Sequence, residues 1–447
     1  MKTFREILYT KFNAPQLFVL SFALIIFVGS ILLTMPFCNN GSSAPYIDNL
    51  FTAVSATCVT GLVTVVPYQQ YSVLGQIVII FLMQAGGLGL MTLVAIAVVF
   101  LHKKLLLKEK KALKDYLNKP DMSNFNTYIR SIYGYTFIVE SIGALLLMIR
   151  FIPKYGFFQG IFNSFFISVS AFCNAGFDNI AANSLIDYVS DPLVNLTVMA
   201  LIVLGGLGFI VWFDIYLNRK KGKKLNLHTK IVLVTTLILI VSGAFLFFIF
   251  EYNNTLAPLP LHDKIMASFF QSITYRTAGF ATIDFAQSLP ITRLIGCLYM
   301  YIGGSPGSCA GGMKTTTFII LIVAVISMIK NSGEYYSIWK RQLSKEIVIK
   351  ALIIFAMYLS VSYIALAILL ISEPLDSLSL FFEVVSAICT VGLTCGITTS
   401  LSVIGKIVII TLMLIGRIGP ITIVLFFVNN SNMNYKFKYP KENVLIG

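Results

Sequence analysis

The stretch Cys389-Thr390-Val391-Gly392-Leu393-Thr394 closes a run, Phe382-EVVSAICTVGL, of which the chain holds four versions. The others are Phe51-TAVSATCVTGL, Phe166-ISVSAFCNAGF and Phe269-FQSITYRTAGF, and in each a phenylalanine stands ten residues before a glycine. These glycines are Gly61, Gly176, Gly279 and Gly392, spaced 115, 103 and 113 residues apart. Internal repetition outranks any single motif as a guide to fold. The unit to explain is therefore a quarter of the chain, long enough for two membrane helices with a short segment between them.

Composition places those quarters in a bilayer. Of 447 residues, 57% are hydrophobic and 12% charged, against about 25% charged in ordinary soluble domains. Leu17–Phe37, Ile231–Phe250 and Ile347–Ile371 are apolar runs of the roughly 20 residues that a crossing requires. Met1–Asn13 is polar and basic, but the run behind it has no small-residue cleavage site, so no removable signal peptide is expected. Cys58, Cys173, Cys297, Cys309 and Cys389 fall in apolar or loop-in-membrane segments, which argues against a disulfide framework. His102, His228 and His262 show no metal-ligand spacing, and no hydrolase, zinc-protease or nucleotide-loop motif is present, so no enzyme is expected.

The net charge of +14 is concentrated between the quarters. Lys103, Lys104, Lys108, Lys110, Lys111, Lys114 and Lys119 share one loop; Arg219, Lys220, Lys221, Lys223, Lys224 and Lys230 share the next; Lys330, Lys340, Arg341 and Lys345 mark a third. The intervening loops carry acids, among them Asp48, Asp178, Asp284 and Asp376. By the positive-inside rule the basic loops and both termini are cytoplasmic, and the same clusters suit anionic lipid headgroups rather than nucleic acid. Repeats 1–100, 127–218, 231–329 and 347–428 then share one orientation, joined by linkers 101–126, 219–230 and 330–346 and followed by a tail, 429–447. Inverted repeats would suggest an alternating-access carrier; four parallel ones surround an axis. The expected fold is all-α with eight spans, each repeat being helix, re-entrant pore loop, helix.

A glycine ending a short re-entrant helix takes positive φ without a steric penalty, and the chain turns back with its carbonyls inward. Four such turns form a ring able to replace a cation's hydration shell. The expected lining is Val59, Thr60 and Gly61, then Asn174, Ala175 and Gly176, then Thr277, Ala278 and Gly279, then Thr390, Val391 and Gly392. The short helices aim their negative ends at this ring, with Asp48, Asp263 and Asp376 near the opposite ends of three of them. Thr390-Val391-Gly392 matches the core of potassium-selective filters. Their second glycine is replaced by Leu62, Phe177, Phe280 and Leu393, so fewer tight sites and looser selectivity are expected.

Each second helix also carries a glycine cluster, beginning at Gly86, Gly205, Gly303 and Gly416. Close helix packing explains the first two. The third reads Gly303, Gly304, Ser305, Pro306, Gly307, Ser308, Cys309, Ala310, Gly311, Gly312, and its glycines and proline cost a helix about 8 kcal/mol. It is expected to be a non-helical, flexible segment that plugs the pore below the ring; a structural kink is the plainer alternative. Lys314 and Arg417 are charges in apolar surroundings, where a protein interior or a watery path is their usual environment. Arg417 is read either as a fixed positive charge bonded to that loop or as a helix-tying partner of Glu140, and Arg276 as a brace behind the third turn.

The four glycines, the loop GGSPGSCAGGMKTTT (303–317) and the final GRIGP (416–420) resemble the Trk/Ktr/HKT superfamily of potassium transporters, most of all its bacterial Ktr membrane subunit. The resemblance covers nearly the whole chain. It implies potassium uptake, often sodium-dependent, by a homodimer in the plasma membrane, under a cytosolic ring of nucleotide-binding RCK subunits (KtrA/KtrC-like). It implies potassium, and sodium as a second ion, with no organic cofactor. In the plant branch a serine in place of the first glycine marks sodium preference, and Gly61 favours potassium. A sodium-permeable pore and a non-transporting membrane scaffold are the competing readings.

Overall fold

Among the described residues, three helices are long and apolar enough to cross a membrane outright: Arg130–Tyr155, Leu227–Glu251 and Lys345–Ser372. They belong to a computed structural model that describes residues 14–89, 125–180, 183–220, 224–330 and 336–427. Residues 101–124 of the basic loop expected at 101–126, and the lysines expected at both termini, lie outside the described residues, while 125 and 126 already belong to a helix.

Each quarter opens with a long helix: α1 (Ala14–Thr34), α4 (Phe125–Tyr155), α8 (Leu227–Glu251) and α12 (Lys345–Ser372). A shorter helix follows: α2 (Tyr46–Cys58), α5 (Phe157–Phe172), α9 (Leu261–Thr274) and α13 (Ser377–Ile388). The third member is α3 (Val73–Gly87), α6 (Pro192–Gly206), α10 (Pro290–Tyr301) or α14 (Val403–Ile418). Local chemistry starts these last helices: Ser72 accepts from the Gly75 N–H at 3.3 Å, Asp191 from Leu193 at 3.0 Å and Ser402 from Gly405 at 3.2 Å. Such caps satisfy donors that a helix cannot satisfy internally. Buried carboxylates at the ends of α8 and α12 add a second tie, Glu251 accepting from Leu289 N at 2.9 Å and Glu373 from Ser402 N at 3.2 Å. The top of the first helix thereby fixes the start of the third.

The third members depart from the expected continuous spans. At 12 to 16 residues they reach only about 18–24 Å, and then the chain breaks. After α6 it bends by 89° into α7 (Phe209–Lys220). After α10 it runs without helix to α11 (Thr315–Ile329), and after α14 it turns at Gly419 into α15 (Pro420–Phe427). Gly89, Gly208 and Gly419 all take positive φ, at +79°, +91° and +91°, a conformation open to glycine and costly for other residues. The glycine clusters do pack closely: a Cβ on Gly86, Gly205 or Gly416 would strike the carbonyl of Thr57, Phe172 or Ile388. Close packing and helix breaking thus occur together.

The quarters interlock in order. The third helix of each packs on the short helix of the next, α3 on α5, α6 on α9, α10 on α13 and α14 on α2, which closes a ring. Linker 330–346 contains a small hairpin, β1 (Tyr336–Ile338) and β2 (Arg341–Leu343), turned at Trp339 and Lys340, both with positive φ.

Candidate functional site

The four marked glycines meet at the centre of this ring. A Cβ on Gly61 would lie 2.6 Å from the Ala175 carbonyl oxygen, one on Gly176 2.8 Å from Ala278 O, and one on Gly279 2.8 Å from Val391 O; one on Gly392 would strike Thr60 O. Each glycine therefore abuts the carbonyl just before the next glycine, and the fourth contact returns to the first quarter. The glycines have φ of +95°, +69°, +80° and +93°. Two residues earlier, Val59, Asn174, Thr277 and Thr390 are also left-handed, at +57°, +58°, +68° and +50°. Non-glycine residues adopt this region sparingly, and such strain gathers at functional sites. Matching conformations at eight positions make the twelve expected lining residues one constellation.

The surrounding hydrogen bonds repeat as well. Thr60 N donates to Ser55 O at 2.9 Å, Ala175 N to Ser170 O at 2.8 Å and Val391 N to Ser386 O at 2.8 Å. Gly61 N and Gly392 N reach the hydroxyls of Ser55 and Ser386, both at 3.1 Å. The serine six residues before the glycine was visible in Ser55, Ser170 and Ser386, yet its role was not drawn from the sequence. The third quarter deviates: Ile273 replaces the serine, and Thr274 Oγ1 donates to Phe280 O at 2.6 Å. It also has Arg276 where the others have Cys58, Cys173 and Cys389. Arg276 is buried and its Nε has no hydrogen-bond partner.

At the far ends of the short helices, Asp48 and Asp263 lie in first turns. Asp376 caps α13, and the Ser379 N–H and hydroxyl hold its carboxyl below the usual carboxylate range. Negative charge there opposes the positive helix end. Asp48 also pairs with Lys406 of α14 at 2.6 Å, largely buried, which ties the fourth quarter to the first.

Gly303–Gly312 lies on the side of the ring where the short helices end. Gly311 N donates to Thr277 Oγ1 at 3.2 Å, and a Cβ on Gly311 would strike Thr390 Oγ1. The segment is non-helical as expected, but it is docked rather than loose. Ser305 N donates to Gly206 O at 3.0 Å, Cys309 N to Gly205 O at 3.2 Å, and Phe209 N to Gly307 O at 2.9 Å. The Ser305 hydroxyl donates to Leu207 O, and Ser308 Oγ to Ser305 O at 2.7 Å. Thr315 N closes the turn on Gly304 O at 3.1 Å. The break between α6 and α7 is thus the receptor for the loop.

Both expected cations hold this segment. Lys314 Nζ donates to Ala310 O at 2.7 Å. Arg417 Nη1 donates to Cys309 O at 2.6 Å, and Nη2 to Gly86 O. Glu140 is not the partner of Arg417: its carboxylate accepts from Gln84 Nε2 at 2.7 and 2.8 Å. Gln84 and Gly208 were missed in the sequence because one polar residue in an apolar helix, or one glycine in a cluster, carries no label of its partner.

A family model described as "Cation transport protein", TrkH, matches residues 9–437. The chain is 40% identical over 445 residues to Ktr system potassium uptake protein B of Bacillus subtilis, covering 99% of each. It is 39% identical over 446 residues to potassium/sodium uptake protein NtpJ of Enterococcus hirae, covering 98% of each. The crystal structure of the potassium transporter TrkH from Vibrio parahaemolyticus superposes with a TM-score of 0.76 at 18% identity, over 94% of this chain and 86% of that one.

Proposed function

The chain belongs to the TrkH family of cation transport proteins, and from that premise we propose that it is the ion-conducting membrane subunit of a Ktr-type potassium uptake system. The family is one of transporters, not enzymes. The observation that carries the reading is the closed cycle of glycine-to-carbonyl contacts through Gly61, Gly176, Gly279 and Gly392. In it, Thr60, Ala175, Ala278 and Val391 present carbonyls to a dehydrated cation, while the short helices turn their negative ends toward it and disfavour anions.

The segment Gly303–Gly312 is the gate of this pore. It lies under Thr277 and Thr390, and Arg417 and Lys314 both secure it and place positive charge on the cation's path. Opening requires those hydrogen bonds to exchange for others, as in a two-state element. Relatives named as parts of a Ktr system support a soluble partner subunit; a cytosolic regulatory ring as the trigger and a homodimer as the assembly belong to the same proposal. Each quarter crosses a plasma membrane twice, the third helix of the second, third and fourth quarters being in two pieces, with the basic loops and both termini inside. Sodium is a second candidate ion because the NtpJ relative is named for both cations; Gly61 at the first filter position favours potassium.

The test is potassium uptake in a transporter-deficient cell expressing the chain with and without a regulatory ring, with sodium as competitor. Uptake that rises with the ring supports the assignment. Absence of any cation flux from correctly inserted protein would leave a membrane scaffold.

A further inference from the structure

Between α4 and α7 lies a cavity of about 770 Å³, within the range of small-molecule sites, about 300–1,000 Å³. Its walls include Ile132, Tyr135, Ile138, Phe209, Trp212 and Phe213. Ile138 and Tyr216 on its rim are 58% and 66% exposed, so it is open at the side. In a membrane chain that side meets acyl chains, not water. Gly134 also lines it, and a Cβ there would meet nothing within 4 Å.

Positive charge stands at one end. Arg130 precedes the lining residue Ser131 on α4 and is exposed. Lys224 and Lys230, also exposed, flank the start of α8, which Asp214 of α7 holds by accepting from Asn226 N at 3.0 Å and Thr229 Oγ1 at 2.6 Å. An apolar slot ending in cations fits one class of membrane molecule. We propose that this groove binds an anionic phospholipid, one acyl chain in the slot and the phosphate near Arg130, Lys224 and Lys230, and that its occupancy biases the gate.

The walls connect the groove to the pore. Tyr135 stacks on Trp212 with ring centroids 5.1 Å apart and meets Phe172, the last residue of α5, at 6.1 Å. Trp212 Nε1 donates to Leu204 O at 3.1 Å, securing α7 to α6. Phe209, in the wall, donates from its backbone N–H to Gly307 of the gate segment. An acyl chain filling the slot supports α7 in the position that receives the gate, so losing it shifts the gate's equilibrium. A ligand moves such an equilibrium only by binding one state better.

The experiment uses the full chain in vesicles of phosphatidylcholine alone or of equal parts phosphatidylcholine and phosphatidylglycerol. Native mass spectrometry after mild extraction reads bound lipid, and rubidium flux reads the gate. Wild type retains phosphatidylglycerol in preference to phosphatidylcholine, and its flux differs between the two compositions. Gly134→Phe, which occupies the slot, removes both the retention and the composition dependence. Arg130→Gln, Lys224→Gln and Lys230→Gln each weaken the preference for phosphatidylglycerol about fivefold. Equal retention in wild type and Gly134→Phe overturns the site, as does conversion of a dimer to monomer by Gly134→Phe with lipid unchanged, since a second copy would then fill the slot. The flux measurement rests on the transport reading and the mass measurement does not, so no flux with specific retention sinks the former alone.

Discussion

Gly61 combines positive φ with a neighbour 2.6 Å from where a side chain would begin. Serine there forces either the backbone or the Ala175 carbonyl to move, and that carbonyl is part of the ring. Gly61→Ser should lower the preference for potassium over sodium about tenfold, roughly 1.4 kcal/mol, in competition uptake; an unchanged ratio would remove Gly61 from the filter. Arg417 acts differently, since its hydrogen bonds go to Cys309 and Gly86 and not to the four ring glycines. Arg417→Ala should raise flux in the absence of the regulatory ring, with ion preference intact. A shift in preference with no rise in flux would make it a filter support instead.

Among elements, the segment 303–312 exchanges helical bonding for docking onto the break at Leu207–Gly208, and its proposed role as a gate is testable. Removing Ser305–Gly311 should raise flux more than Arg417→Ala does and uncouple it from the partner. If the deleted protein inserts normally and its flux stays fully regulated, the segment is a structural kink. The glycine contacts that set helix distance give a second prediction. Gly205→Val would drive a side chain into the Phe172 carbonyl at the end of α5, and overpacking of this kind costs about 1–3 kcal/mol. A lower unfolding temperature of purified protein, with reduced uptake, is expected. An unchanged temperature would mean that α6 shifts aside freely.

For the whole molecule, ring closure needs the fourth quarter to hold the first. Lys406 and Asp48 do so across the chain's two ends, with side chains 14% and 8% exposed. Removing one partner leaves an uncompensated charge, so Lys406→Ala should cost about 3 kcal/mol, whereas Lys406→Met with Asp48→Asn should recover most of it. Thermal unfolding in detergent decides, and equal losses in both variants would contradict the pairing. Orientation is tested separately: cysteines placed at Lys224 or Lys230 should resist external labelling in intact cells. Labelling there would invert the topology.

The number of quarters, their spacing, the four glycines and the proline-glycine loop were legible in the sequence because each is a local chemical signal repeated or concentrated. Lys314 and Arg417 stood out as charges in apolar surroundings, and the unhelical nature of 303–312 followed from propensity alone. The hairpin at 336–343 was not visible, since Trp339-Lys340 replaces the usual Asn-Gly turn signal. Only tertiary structure decided that Glu140 serves Gln84 and not Arg417, that Lys406 meets Asp48, and that the breaks recur in α6 and α14. Partner choice depends on which surfaces approach across hundreds of residues, and hydropathy is blind to that. A sequence states what each residue is able to bond; packing around the ring selects which bond it makes.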